Sequence, residues 1–141
     1  MRIQRRTAWA DTAISVDGVV RAVTGQDGLF VVLGASAGEH VVEAWQPGTL
    51  RSRAVIVVAN GRVVDLSETL LLLGDVYPNG RIDVVDYLIG SAALGRCQGD
   101  DDFQGWLDLT ANGCVGPEDI QVIVDNMGRT GPTRWSPVPS P

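Results

Sequence analysis

The chain of 141 residues has no lysine. Its eleven basic residues, all arginine, face seventeen acids, for a net charge of −6. A nucleic-acid-binding surface needs the opposite balance, so that class is set aside. Histidine occurs once and cysteine twice. Two cysteines and one distant histidine do not complete a zinc site. No apolar run approaches the ~18 residues of a membrane span. The start, MRIQRRTAWA, has arginine but no apolar stretch behind it, so no signal peptide is expected within it. His40 stands at a strand start with no Ser-His-Asp or Cys-His order around it. No nucleotide-binding loop or open catalytic metal set is apparent, so an enzyme is not expected.

What is present is a chain 45% hydrophobic, long enough for one domain or two small ones with a real core. Its charge is partitioned. Residues 1–73 hold seven arginines and seven acids, whereas residues 74–141 hold four arginines and ten acids, nine of them aspartate. The second part is the one suited to cations.

Residues 1–73 read as β. Short runs (AISV, VVRAVT, LFVVL, HVVEAW, AVIVV, RVVDL, TLLLL) are separated by Asp17-Gly18, Pro47-Gly48 and Asn60-Gly61, which are turn and hairpin signals. Six or seven short strands at such spacing predict a sandwich. Trp45 is expected in its core, and Trp106 between the two parts. Trp9 and Trp135 are candidates for exposure, with carbohydrate stacking a weak option. Residues 131–141 carry four of the seven prolines and read as an extended tail.

The acidic part repeats at an offset of 33. Asp75, Asn79, Gly80, Ile82 and Asp86 correspond to Asp108, Asn112, Gly113, Val115 and Asp119. Leu94-Gly95-Arg96 corresponds to Met127-Gly128-Arg129. Each copy continues into a helical pattern. The first spans Val84 to Leu94; the second begins at Pro117, with Ile120, Ile123, Val124 and Met127 as one stripe and Gly128 as its stop.

A calcium loop of about 12 residues supplies oxygens at positions 1, 3, 5, 7, 9 and 12, with glycine at 6. Asp75 and Asp108 take position 1, and Asn79 and Asn112 position 5. Arg81 and Cys114 offer main-chain carbonyls at position 7. Asp86 and Asp119 take position 12, where a carboxylate also favours the helix dipole. Ile82 and Val115, at position 8, are expected to pair the loops side by side. Position 3 is Tyr77, whose ring overshoots, and Thr110, whose hydroxyl can serve. Position 9 is Asp83 in the first loop and Gly116 in the second. With three carboxylates against two, the first of two calcium ions is expected to be held more strongly.

GDVYPNGRIDVVDYL and LDLTANGCVGPEDI resemble the two segments of a type I dockerin. That resemblance implies two calcium ions and docking onto a cohesin-like partner. Its partner-binding positions 10 and 11 fall on Val84, Val85, Pro117 and Glu118, where the frequent Ser-Thr pair is absent. Thr24, Asp27, Gly28, Phe30, Gly38 and His40 resemble the pattern of a carboxypeptidase regulatory-like, or CnaB-like, β-sandwich, a spacer or stabiliser beside extracellular domains.

The expected fold class is therefore α+β: an immunoglobulin-like β-sandwich over 1–73, then a small duplicated EF-hand-like loop-helix module over 74–130, then the 131–141 tail. The expected function is non-catalytic, calcium-dependent docking outside the cell, with polysaccharide degradation as a possible context and the chain as the terminal piece of a larger secreted protein. The alternative is a calcium-stapled structural spacer without a cohesin. In an extracellular module Cys97 and Cys114 suggest a disulfide, with two free buried thiols as the other option.

Overall fold

The computed structural model describes residues 1–3 and 10–138; Trp9 lies outside the described residues. Nine strands and two helices follow in chain order among these residues. They are β1 (Arg2–Ile3), β2 (Ala13–Val16), β3 (Val19–Val23), β4 (Gly38–Trp45), β5 (Gly48–Thr49), β6 (Ser52–Val58), β7 (Leu70–Leu71), β8 (Leu73–Asp75), α1 (Val84–Ala92), α2 (Pro117–Asp125) and β9 (Thr133–Arg134). The main sheet has the order β3-β2-β4-β6-β9. Its first three ladders are antiparallel and β6–β9 is parallel. Two small ladders accompany it, parallel β1–β7 and antiparallel β5–β8.

Local chemistry accounts for much of this sheet. Asp17 and Gly18 turn the chain from β2 into β3 with φ of 51° and 80°, a backbone hand that matches strand twist in a tight hairpin. Along β6, Ser52 and Ala54 are buried while Arg53 and Val55 are exposed, the period-two pattern of a strand with one wet face. Ile14, Val42, Ala44 and Ala54 form the dry face. They join Leu50, Leu71, Leu73, Ile82, Leu109, Val122 and Ile123 in one core spanning both parts of the chain.

The α+β expectation, an immunoglobulin-like sandwich followed by an EF-hand-like module, is corrected by this architecture. Among the described residues strand outnumbers helix, which is confined to two nine-residue segments. An EF-hand places its loop between two helices, but neither loop here is entered by one. Asp75 ends β8, and turns precede Asp108. The β part is built from one five-stranded sheet with two two-stranded ladders beside it among the described residues. LFVVL keeps strand-like alternation, with Phe30 and Val32 packed on the core and Leu29, Val31 and Leu33 exposed, yet it joins no ladder among the described residues. RVVDL contributes only a bridge from Leu66 to Pro137. Alternation records which side is buried, not whether a neighbouring backbone is in register. A cavity of about 770 Å³, lined in part by Phe30, Val32, Ile56, Leu66 and Trp135, lies where these segments face the sheet.

The proline-rich end is held against the sheet. Thr133–Arg134 pairs with Ser52 and Arg53. Trp135 is 4% exposed, donates its indole N–H to the Ser67 carbonyl at 2.6 Å, and meets Phe30 edge-on at 5.9 Å. Trp135 is thus a core residue and not an exposed sugar platform. Trp45, expected in the core, is half-buried beneath the Arg51 guanidinium, 4.3 Å from its ring centre. Trp106 is half-buried and packs against the common core.

Candidate functional site

β8 and the turns before Asp108 deliver the first aspartate of each acidic loop. In the first loop, Asp75 accepts the amides of Asn79 and Gly80 at 3.2 and 3.1 Å. Asp86 accepts those of Tyr77 and Asp83, both at 2.8 Å, and Asn79 Oδ1 accepts that of Arg81. The second loop repeats the pattern. Asp108 accepts from Asn112 and Gly113 at 3.0 and 2.8 Å. Asp119 accepts the Thr110 amide and hydroxyl at 2.8 and 2.9 Å and the Gly116 amide at 2.7 Å. Asn112 Oδ1 accepts from Cys114. The first and last aspartates of each loop are therefore its internal scaffold, each wrapping main chain around itself.

All four of these aspartates are at most 6% exposed. Among the described residues, no arginine or histidine pairs with Asp75, Asp86 or Asp119. Burial, with the neighbouring charges of Asp86 and Asp83, pushes the Asp75 carboxyl up to about 6 against the pull of the Gly80 and Asn79 amides. A buried carboxylate that lacks a cationic side chain is stabilised by a bound cation. Asp119 Oδ1 takes both the Thr110 amide and the Thr110 hydroxyl, while the oxygens of Asp75 and Asp86 each accept a single amide and keep a lone pair. Among the described residues, no three His, Cys, Asp or Glu side chains are gathered into a group that could hold a metal. A calcium ion held here would also need the Asn79 and Asn112 side chains and the main-chain oxygens of Arg81 and Cys114.

The remaining predicted residues fall into place around the loops. Asp83 caps α1, accepting the Val85 amide at 2.9 Å. Tyr77 is 53% exposed and its ring stays outside. Ile82 and Val115 do not pair with each other. Ile82 exchanges hydrogen bonds with Arg129 and Gly128, beyond α2, and Val115 with Arg96 and Gly95, beyond α1. Each loop is thus clasped to the exit of the other helix. Cys97 and Cys114 are disulfide-bonded at the centre of the second clasp, flanked by the Val115–Arg96 and Gln98–Gly113 hydrogen bonds.

The helix faces differ from the predicted stripe. In α2 the buried residues are Asp119, Val122 and Ile123, continued by Asn126, whose side chain donates to the Leu73 carbonyl at 2.7 Å. Val124 and Met127 are exposed. The loop's last carboxylate must face inward, and this turns the helix relative to a purely apolar stripe. In α1 only Asp86 and Gly90 are buried, and Val84, Val85 and Leu88 are exposed. Pro117 and Glu118 are exposed as well.

His40 contributes no catalytic pair. Its Nδ1 meets Asp17 at 2.7 Å and its Nε2 meets the Ser36 carbonyl at 2.9 Å, so both nitrogens are engaged. No described helix is long and apolar enough to cross a membrane.

The chain matches no protein-family model and no curated protein. Its fold is similar to that of a chain in the type II cohesin–X–dockerin complex of Acetivibrio cellulolyticus. Two solved structures of that complex match, one a mutant at the N-terminal interface and the other at the C-terminal interface. In each the TM-score is 0.73 at 24% identity, covering 88% of this chain and 86% of the other.

Proposed function

We propose that the chain is a non-catalytic docking module of the cohesin–dockerin kind, working outside the cell. The observation that carries this is the fold similarity to a chain of a cohesin–X–dockerin complex across most of both chains. The disulfide fits an oxidising compartment.

On this reading the chain takes the dockerin side, and its partner is a cohesin-like domain. The two acidic loops hold calcium through Asp75, Asn79, Asp83, Asp86 and the Arg81 carbonyl, and through Asp108, Thr110, Asn112, Asp119 and the Cys114 carbonyl. The buried carboxylates of Asp75, Asp86 and Asp119, which no arginine or histidine pairs among the described residues, fit a hard divalent cation with oxygen ligands. By loop positions alone the first site is the stronger. Val84 and Val85, exposed beside Leu88, supply the apolar part of the partner face, with Pro117 and Glu118 at the matching place on α2. Residues 1–73 stabilise the unit through the common core, and the segment 131–138 ties it to the sheet.

A second reading is favoured by the predominance of strand. The wet sheet face exposes Val20, Val23, Val55 and Val57. If the chain takes the cohesin side, this face meets a dockerin. Immobilised type II cohesin and type II dockerin, each probed with the full oxidised chain, separate the two. Capture by cohesin, lost on substitution of Val84 and Leu88 by Asp, supports the dockerin side. Capture by dockerin supports the sheet face. Binding to neither removes the docking proposal and leaves the spacer role.

A further inference from the structure

The cavity between LFVVL and the sheet has a wall tied down at a single polar point. Phe30 and Val32 hold the start of that wall by packing on the core. Beyond them, residues 33–37 are exposed throughout, and Leu33, Gly34 and Ala35 line the cavity. Among the described residues, the one hydrogen bond that reaches 33–37 runs from His40 Nε2 to the Ser36 carbonyl, at 2.9 Å. The other ring nitrogen, Nδ1, meets Asp17 Oδ2 at 2.7 Å, while Asp17 Oδ1 accepts the Val41 amide at 2.9 Å. The imidazole thus bridges the turn between β2 and β3 to the cavity wall, and its side chain is 11% exposed. Both of its partners are acceptors, a carboxylate and a main-chain carbonyl. Neutral imidazole has one N–H and donates to only one of them, with its remaining lone pair turned on the other oxygen. The arrangement therefore suits imidazolium, which donates to both.

We propose that His40 is a proton-operated latch: its imidazolium holds residues 33–37 to the β2–β3 turn at one end of the cavity, and loss of the proton releases them. Asp17 is the stronger acceptor, being charged and at the shorter distance. The neutral ring therefore keeps its proton toward Asp17 and drops the Ser36 carbonyl. The Asp17 hydrogen bond, then that of Ser36, raises the His40 pKa above 6.5. The latch is thus closed below pH 6.5 and opens as pH rises through the raised value. The surroundings leave this response to one proton. The turn supplies Asp17, on which Arg21 of β3 acts. On β4 the adjacent acid is Glu39, β6 places Ile56 opposite His40, and 33–37 hold no titratable side chain. The other charged residues of the cavity lining are Asp27, Arg62, Asp65 and Glu68, and none of them pairs with the imidazole.

The test is nuclear magnetic resonance on the full oxidised chain from about pH 5 to 9, following the His40 ring and the main-chain order of 33–37. Wild type is compared with Asp17→Asn and His40→Gln. Asparagine tolerates the positive φ at position 17 and keeps an oxygen for the Val41 amide, but has no charge. The expected order parameters for 33–37 are about 0.85 on the acid side and below about 0.6 on the alkaline side, with the midpoint of the imidazole. Asp17→Asn should lower both midpoints together, and His40→Gln should abolish the pH response. Equal order in 33–37 on both sides of the imidazole midpoint overturns the latch. So does a change with a midpoint of its own, or a response that survives in His40→Gln. An imidazole midpoint unmoved in Asp17→Asn overturns the bridge through Asp17.

Discussion

Replacing Asp86 or Asp119 with alanine separates the structural work of these carboxylates from any metal. Asp86 is fully buried and accepts two main-chain amides, from Tyr77 and Asp83. Asp119 is 1% exposed and accepts three donors, the Thr110 amide, the Thr110 hydroxyl and the Gly116 amide. Alanine removes the acceptor and leaves the donors behind. An unsatisfied, partly buried donor costs about 1–3 kcal/mol. The low end applies, because water reaches part of each loop. Asp86→Ala should therefore cost about 2–4 kcal/mol, and Asp119→Ala should cost more. The assay is urea unfolding in excess chelator, followed by circular dichroism and by tryptophan fluorescence. Since the core runs through both parts of the chain, the two probes should report one shifted transition. A loss below about 0.5 kcal/mol, the ordinary range for surface substitutions, would refute the scaffold role. Loss of helix signal at a lower urea concentration than fluorescence would show that the helices unfold independently of the sheet.

Other consequences follow from the same structure. Reducing the Cys97–Cys114 bond frees a 17-residue separation and should lower stability by about 3 kcal/mol in the chain-entropy model, measurable by denaturation with and without reductant. Gly48 has φ of 80°, and a Cβ there would lie 3.0 Å from the Trp106 carbonyl oxygen. Gly48→Ala should therefore cost about 1–3 kcal/mol, and a neutral result in thermal unfolding would show that β5 does not depend on this approach. The Asp17 hydrogen bond, followed by that of the Ser36 carbonyl, raises the His40 pKa above 6.5. The His40 hydrogen bond, followed by that of the Val41 amide, lowers the Asp17 pKa below 3.8. The contribution from His40 is thus full below pH 6.5 and lost as pH rises through its raised value. The contribution from Asp17 is present above pH 3.8 and lost as pH falls through its lowered value. A resonance titration of the single imidazole should show the raised value in wild type and its return toward 6.5 in Asp17→Asn.

The elements that could be read in the sequence are those fixed by nearby chemistry. Asp17-Gly18 marks a hairpin, HVVEAW and AVIVV alternate along a half-buried sheet, and Pro117 opens α2. The duplicated Asp-Asn-Gly-Asp spacing corresponds to matched hydrogen bonds in both loops. What could not be read depends on distant partners. LFVVL alternates as well as any strand but finds no ladder among the described residues, while the proline-rich end supplies β9 by parallel pairing with a strand some 80 residues earlier. Nothing local in TGPTRW signals that pairing, or the burial of Trp135 against Phe30. The apolar stripe alone gives the wrong phase for α2, because the inward-facing Asp119 helps to set it.

Calorimetric titration of a type II cohesin into the full oxidised chain, first in calcium and then in chelator, tests the docking function most directly. The proposed dockerin side predicts saturable one-to-one binding in calcium and none in chelator. Equal binding in both buffers would contradict calcium-dependent docking, and no binding in either would contradict the cohesin partner itself.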